Sequence, residues 1–288
     1  MKIIKYFIQS LIIFTLFFLF KLMGYKNASN FGSKIGKVFG KIIKSDKIIL
    51  KNLAIIKESK KIEDKNFSML AKDVFANYGR ILAEYMYLKE FRFGKLKDYV
   101  SVIGNEHLQE IILKNKKVVF ISGHFNNFEL MAMFIDAAGI NLSTIYRPLN
   151  NIFLNETMEK LRIKYICKNQ IKKGKTGTRE LIKSLRNNFS VALMIDQRVT
   201  EGIKCNFFEK EAFTTTIPAQ IVKKFDCEIV PVYIERFQDV KFNLTFSKPI
   251  KFDKNRSVED ITLNLNNILE DMILKNPSQW ILTHDRWK

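Results

Sequence analysis

Lys117–Leu130 reads KVVFISGHFNNFEL. Val118 to Ile121 form an unbroken run of β-branched and aromatic residues without polar alternation, the pattern of a strand buried on both faces of a parallel sheet. The run stops at Gly123 and passes through a polar turn into a helical stretch near residues 126 to 138. Strand, turn and helix in that order begin an α/β unit.

Outward from that stretch the alternation repeats. Strand-like runs fall at 117 to 122, 142 to 146, 190 to 195 and 228 to 234, separated by helical stretches near 126 to 138, 152 to 164, 176 to 187 and 215 to 225. The expected fold is α/β, with a mostly parallel central sheet flanked by helices and ligands outside the carboxyl ends of its strands. Before residue 98 the period is three and four, as in Val74, Tyr78, Ile81, Leu82 and Tyr85. Residues 46 to 60 and 66 to 90 therefore read as amphipathic helices of a helical N-terminal part.

Three Cys in 288 residues and 47% apolar content exclude both a disulfide-stapled mini-protein and a disordered chain. Cys167, Cys205 and Cys227 form no C-x-x-C pair, so they read as small buried hydrophobes in a reducing compartment, and no metal site is expected. The 48 Lys+Arg against 29 Asp+Glu give a net charge of +19. Only ten of those 48 are Arg, a bias that coding composition alone can produce. The charge favours an anionic partner and leaves nucleic acid, anionic lipid and an acidic protein open.

Tyr6 to Phe20 reads YFIQSLIIFTLFFLF, and with its tolerant ends, Ile3 to Met23, it approaches the ~20 residues that span hydrocarbon. A signal peptide and a buried or amphipathic helix are the competing readings. KLMGYKNASN follows without a small-x-small cleavage pattern, and Lys21, Lys26, Lys34, Lys37, Lys41 and Lys44 crowd the far flank. Lysine-rich flanks stay in the cytoplasm. The expected organisation is an N-terminal membrane anchor over 1–25 and one α/β domain over 26–288. Gly32, Gly36 and Gly40 recur every four residues, which permits close helix or membrane contact, or is a helix that happens to carry glycines.

Chemistry is expected where the first strand ends. His124 and Glu129 lie five residues apart, too far around a continuous helix to touch. If the helix starts near Asn126, Glu129 on its first turn can reach back to His124 on the loop. A carboxylate on one ring nitrogen fixes the tautomer and makes the other nitrogen a base. Amides at the helix start would then stabilise a developing oxyanion. The alternative is a satisfied loop histidine beside a solvated glutamate.

GHFNNFEL resembles the H-x-x-x-x-D/E block of membrane-bound glycerolipid acyltransferases. In its G-H-F-x-N-x-E form it is similar to the lipid A biosynthesis acyltransferases, the late lauroyl and myristoyl transferases. YRPLNN (Tyr146 to Asn151), MIDQR (Met194 to Arg198), FTTTIPAQIVKK (Phe213 to Lys224), PVYIER (Pro231 to Arg236) and the terminal QWILTHDRWK resemble that family's further blocks in order.

The resemblance implies transfer of a fatty acyl group from acyl carrier protein to a hydroxyl of a lipid A precursor, at the bacterial inner membrane, without a covalent acyl-enzyme and without a cofactor. It implies His124 as general base, Glu129 as its orienting partner and Arg162 as a charge stabiliser or substrate holder. Asn127, Arg147, Asp196, Gln197 and Thr215 are the substrate-binding candidates. Arg147 alternatively caps a helix, Asp196 fixes a turn, and Thr214 to Thr216 form a helix cap. Phe125, Phe128, Leu130, Met131, Met133 and Phe134 line an acyl channel or pack the core. Ile281 and Asp285 depart from the family's aromatic and basic positions in the last block. The partners implied are acyl carrier protein, the lipid acceptor and the membrane, with no nucleic acid. An acyltransferase acting on another phospholipid or glycolipid is the alternative, and a membrane-tethered nucleic-acid-binding protein is a remote one that no phosphate loop or zinc spacing supports.

Overall fold

The computed structural model describes residues 2–59, 62 and 66–288. Five helices come first: α1 (Lys2–Met23), α2 (Tyr25–Ile43), α3 (Lys47–Glu58), α4 (Phe67–Glu84) and, after the 3-10 turn Tyr85–Tyr87, α5 (Leu88–Phe93). Then follow β1 (Val100–Ile103), α6 (Asn105–Leu113), β2 (Val118–Ser122), α7 (Glu129–Ala137), β3 (Leu142–Tyr146), α8 (Ile152–Tyr165), β4 (Asn169–Lys172), α9 (Lys175–Arg186) and β5 (Ser190–Met194). The last third holds β6 (Ile203–Phe207), β7 (Lys210–Thr214), α10 (Ile217–Phe225), β8 (Glu228–Phe237), β9 (Lys241–Phe246) and α11 (Val258–Lys275).

Seven strands form the central sheet in the order β1-β9-β8-β2-β5-β3-β4. From β8 to β4 every neighbour is parallel; β9 runs antiparallel to β8, and β1 is parallel to β9. β2 lies between β8 and β5 and all five of its residues are buried, which is what its uninterrupted apolar run requires. The four expected strands and the four helices between them are all present. The sequence reading lacked β1, β4, β9, α11 and the separate β6–β7 hairpin. Two of these strands are only four residues long, and β9 alternates, with Phe242, Leu244 and Phe246 inward, as suits a strand near the sheet edge.

The helix expected over 66 to 90 breaks after Glu84, and the 3-10 turn aims Tyr85 and Tyr87 inward. The helix expected over 46 to 60 runs Lys47–Glu58, and residue 60 lies outside the described residues. The glycine repeat is used inside the protein. A Cβ added to Gly32 would run into the Gly79 carbonyl, one on Gly36 into the Phe75 carbonyl, and one on Gly79 into the Gly32 carbonyl. Backbone thus meets backbone where α2 crosses α4, an approach that only glycine allows. Phe17 and Phe20 of α1 belong to the same buried apolar cluster as the sheet residues.

Candidate active site

Two adjacent strands place the central pair. β2 and β5 are in parallel register, Val119 opposite Val191 and Ser122 opposite Met194, and the Ile195 amide continues the ladder by donating to the Ser122 carbonyl at 2.9 Å. Two residues beyond the last registered pair stand His124 and Asp196. Their side chains meet, with Nδ1 of His124 2.7 Å from Oδ1 of Asp196. The second carboxylate oxygen accepts from the His124 amide at 2.8 Å and from Trp280 Nε1 at 2.9 Å. Asp196 has no exposed side-chain surface. Burial alone would raise its pKa, but the charge and hydrogen bonds of His124 outweigh that and hold it below the usual carboxylate range. Burial likewise disfavours the His124 imidazolium, and the Asp196 charge and hydrogen bond more than offset this, so the His124 pKa is raised. In the neutral ring Nδ1–H donates to Asp196, leaving Nε2 with its lone pair.

The loop after β2 is fastened on both sides. The Asn126 amide donates to the Gln279 carbonyl at 2.8 Å, and Asn126 adopts a left-handed φ of 43°. The Ile281 amide donates to the His124 carbonyl at 3.1 Å, and Asn127 Nδ2 donates to Glu84 at 2.9 Å. Glu84, fully buried, also takes both terminal nitrogens of Arg236, at 2.6 and 2.9 Å, and the Ser29 hydroxyl at 2.7 Å. One carboxylate thereby joins α2, α4, β8 and the histidine loop.

Glu129 does not reach His124 in the way its spacing suggests. It is the first residue of α7, and its carboxylate accepts from Nε and NH2 of Arg162 at 2.8 and 2.6 Å and from the Tyr85 hydroxyl. Arg162 NH2 also donates to Tyr85 at 2.9 Å. The physical reason is twofold: Nδ1 of His124 is occupied by Asp196, and a buried carboxylate is best compensated by a guanidinium fork. Glu129 still raises the His124 pKa through its charge, behind Asp196. The expected oxyanion amides also find other uses: Phe125 donates to the Gly123 carbonyl, Asn126 to Gln279 and Asn127 to the Asn126 side chain.

A cavity of about 460 Å³ opens beside this pair. Its mouth is polar, with His124, Glu129, Arg147, Arg162, Gln197 and His284. Its floor follows from sheet register. Thr144, Ala192, Phe120 and Val230 stand opposite one another across four strands, and the first three line the cavity with Ser122, Met194 and Tyr146 one step nearer the mouth. Met131, Ala132 and Ile135 of α7 cover it. From His124 down to Phe120 is four residues of strand, about 13 Å. Of the candidate channel residues, Phe128 and Met131 line this space, whereas Phe125, Leu130 and Met133 are core.

Arg147 and Gln197 thus stand at the mouth, Asp196 supports the histidine, and Asn127 and Thr215 are not among the lining residues. Asn127 serves the Glu84 network, and the Thr215 hydroxyl accepts from the Ile217 amide at the start of α10. Sequence reasoning missed Tyr85, Glu84 and the terminal segment's part. His284 is the informative case. Its Nε2 accepts from the Arg198 amide at 3.0 Å, so its proton sits on Nδ1. Burial, together with the His124 and Arg286 charges, lowers its pKa, leaving a neutral ring in the mouth beside His124. Asp285 pairs with Lys51 at 3.0 Å, and Asn52 Nδ2 holds the Leu282 and His284 carbonyls at 2.9 and 2.7 Å, so α3 clamps this segment in place. Among the described residues no three His, Cys, Asp or Glu converge as a metal site would require.

Residues 1–288 match the family described as bacterial lipid A biosynthesis acyltransferase. The chain belongs to this family. Among curated proteins it is 22% identical over 263 residues to the lipid A biosynthesis palmitoleoyltransferase of Escherichia coli (strain K12), covering 89% of this chain and 83% of that protein. It is similar to the same extent to a lipid A biosynthesis acyltransferase of Shigella flexneri. The lipid A acyltransferase is therefore an enzyme of acyl transfer in lipid A biosynthesis, and a half-buried histidine paired with a buried carboxylate at the mouth of a cavity with a largely apolar floor is a site such chemistry can use.

Proposed function

We propose that this acyltransferase moves a fatty acyl chain from the thioester of acyl carrier protein to a hydroxyl of a lipid A precursor, with His124 as general base and no covalent acyl-enzyme. Nε2 of His124 takes the proton of the acceptor hydroxyl as its oxygen attacks the thioester carbonyl. The tetrahedral oxyanion forms beside neutral His284 and Gln197, whose N–H groups are the donors, with the Arg162 charge near by. Collapse breaks the carbon–sulfur bond, the thiolate takes the proton from the imidazolium, and an ester and a free thiol result. Asp196 fixes the tautomer, and the Glu129–Arg162–Tyr85 cluster sets the field and the wall of the mouth.

The acyl chain occupies the space between the sheet and α7, and Arg147 meets the acceptor's anionic or sugar headgroup. The body, residues 26–288, works on the cytoplasmic side of the inner membrane, with 1–25 as its attachment. The lysine excess suits an acidic carrier and a phosphorylated acceptor. One observation carries this reading: a tautomer-fixed histidine at the mouth of an apolar cavity, flanked by cationic side chains.

Membranes containing the enzyme, a tetraacylated lipid A precursor and a panel of acyl carrier protein thioesters, read by product mass, test it. His124→Ala is expected to abolish the acyl gain while the protein still folds. Full activity of that variant, or acyl gain on phospholipid in place of the precursor, would refute the base or the acceptor respectively.

A further inference from the structure

We propose that α1 does not cross the bilayer but lies flat in one leaflet of an anionic phospholipid membrane, as one edge of a docking face that reaches the cavity mouth. This rests on the lipid-acceptor reading above. α1 is the one described helix long and apolar enough to span. Yet it is attached to the body near both ends. Asn151, the cap of α8, donates to the Tyr6 carbonyl at 2.9 Å and accepts from the Ser10 hydroxyl at 3.0 Å, and the Phe7 and Phe153 rings meet edge to face. At the other end Phe17 and Phe20 are buried, and the Tyr87 hydroxyl donates to the Phe20 carbonyl at 2.6 Å.

Tyr6 to Phe20 is about 21 Å of helix, most of a ~30 Å hydrocarbon core. If α1 stood upright with Lys21 at the surface, Ser10 would lie near mid-bilayer and would drag the start of α8 with it. One turn beyond Phe153, Glu156 and Lys160 form an ion pair with side chains 72% and 74% exposed, which hydrocarbon does not tolerate. Lying flat removes the conflict. Ile4, Ile8, Leu11, Phe14, Phe18 and Leu22 form an exposed stripe at helical spacing along the outer side. Exposed Lys2, Lys5, Lys21 and Lys26 stand at its two ends, as anionic headgroups require. The stripe continues through Asn151 to exposed Leu149, Ile152 and Phe153, and Arg147 to Asn150 line the cavity. The acceptor lipid would then enter from the plane of the membrane without leaving it.

Spin labels on the full chain bound to vesicles rich in phosphatidylglycerol test this. Cys167, Cys205 and Cys227 are buried, so Ile4→Cys, Leu11→Cys, Phe18→Cys and Leu22→Cys can be labelled selectively. The expected result is a shallow depth, about 5–10 Å, equal at all four positions. A depth that changes steadily from Leu22 to Ile4 over about 27 Å, the rise of a standing helix, overturns the orientation alone. Failure to bind the vesicles overturns the membrane reading as well. Binding with all four labels shielded from lipid assigns the stripe to a second copy of the chain and overturns the docking face.

Discussion

Replacing Asp196 with Asn separates the tautomer from the shape of the site. The carboxylate accepts three hydrogen bonds: Oδ1 from His124 Nδ1, and Oδ2 from the His124 amide and Trp280 Nε1. Asparagine offers one acceptor oxygen and one NH2. Two fixed N–H donors converge on the Oδ2 position, so the carboxamide oxygen settles there and NH2 faces the imidazole. Nδ1 must then accept, the ring proton moves to Nε2, and the lone pair that would take the hydroxyl proton is lost. The expected fall in kcat is on the order of 10⁴-fold, the size found when a base is held in the wrong tautomer. At ~1.36 kcal/mol per tenfold that is about 5.4 kcal/mol of barrier. All three hydrogen bonds survive, with donor and acceptor exchanged only at Nδ1, so unfolding free energy should change by no more than about 1–2 kcal/mol.

The assay is the initial rate of transfer from a radiolabelled acyl thioester at saturating substrate, from about pH 6 to about pH 9, across the ordinary histidine value of ~6.5. In the parent enzyme the Asp196 charge overcomes burial and raises the His124 pKa, so the neutral base appears and the rate rises only above that ordinary value. In the Asn variant burial loses its main opponent, leaving only the weaker Glu129 charge against it, so the pKa falls and the rising limb moves to lower pH while its plateau collapses. A plateau within tenfold of the parent, or a limb that stays in place, would refute the reasoning.

Ala192→Phe fills the cavity floor and should shift preference toward shorter acyl thioesters, by about fourfold for each methylene denied its ~0.8 kcal/mol of burial; an unchanged profile in a competition assay would place the chain elsewhere. Glu84→Gln leaves Arg236 buried without its countercharge and should cost about 3–5 kcal/mol in denaturant unfolding, with less than ~1 kcal/mol showing that the network is dispensable. Gly79→Ala drives a methyl group into the Gly32 carbonyl and should lower stability by about 1–3 kcal/mol through overpacking. A melting temperature equal to the parent's would mean that α2 slides freely on α4.

The parallel sheet was legible because β2, β5 and β8 are centred on buried apolar runs, with their charged and serine residues confined to the strand ends. β9 was not, since its alternation of Lys, Asn and Thr with inward Phe and Leu makes a weaker signal beside charged turns. At the site the sequence marked His124, Glu129 and Arg162, but the partner of the histidine depends on which strand lies beside β2. Strand order is a non-local property, and only the β2–β5 register brings residue 196 to residue 124. Tyr85 and Glu84 read as ordinary helix positions because their partners lie 44 and 152 residues away. The glycine repeat was visible, but its packing surface, Gly79 and Phe75, was not marked by any pattern of its own.

The two charge pairs at the mouth rest on different supports. His124 and Asp196 ride on hydrogen-bonded neighbours in the middle of a sheet, so any motion that carries one carries the other. Glu129 and Arg162 belong to α7 and α8, two separate helices that both contribute to the cavity lining. On the proposed function, filling the cavity would strain the carboxylate–guanidinium contact while leaving the His124–Asp196 alignment untouched. In mechanical terms the proposed base is mounted on the frame and the ion pair on a separate wall, so on that reading tolerance for different chains need not come at the expense of proton transfer.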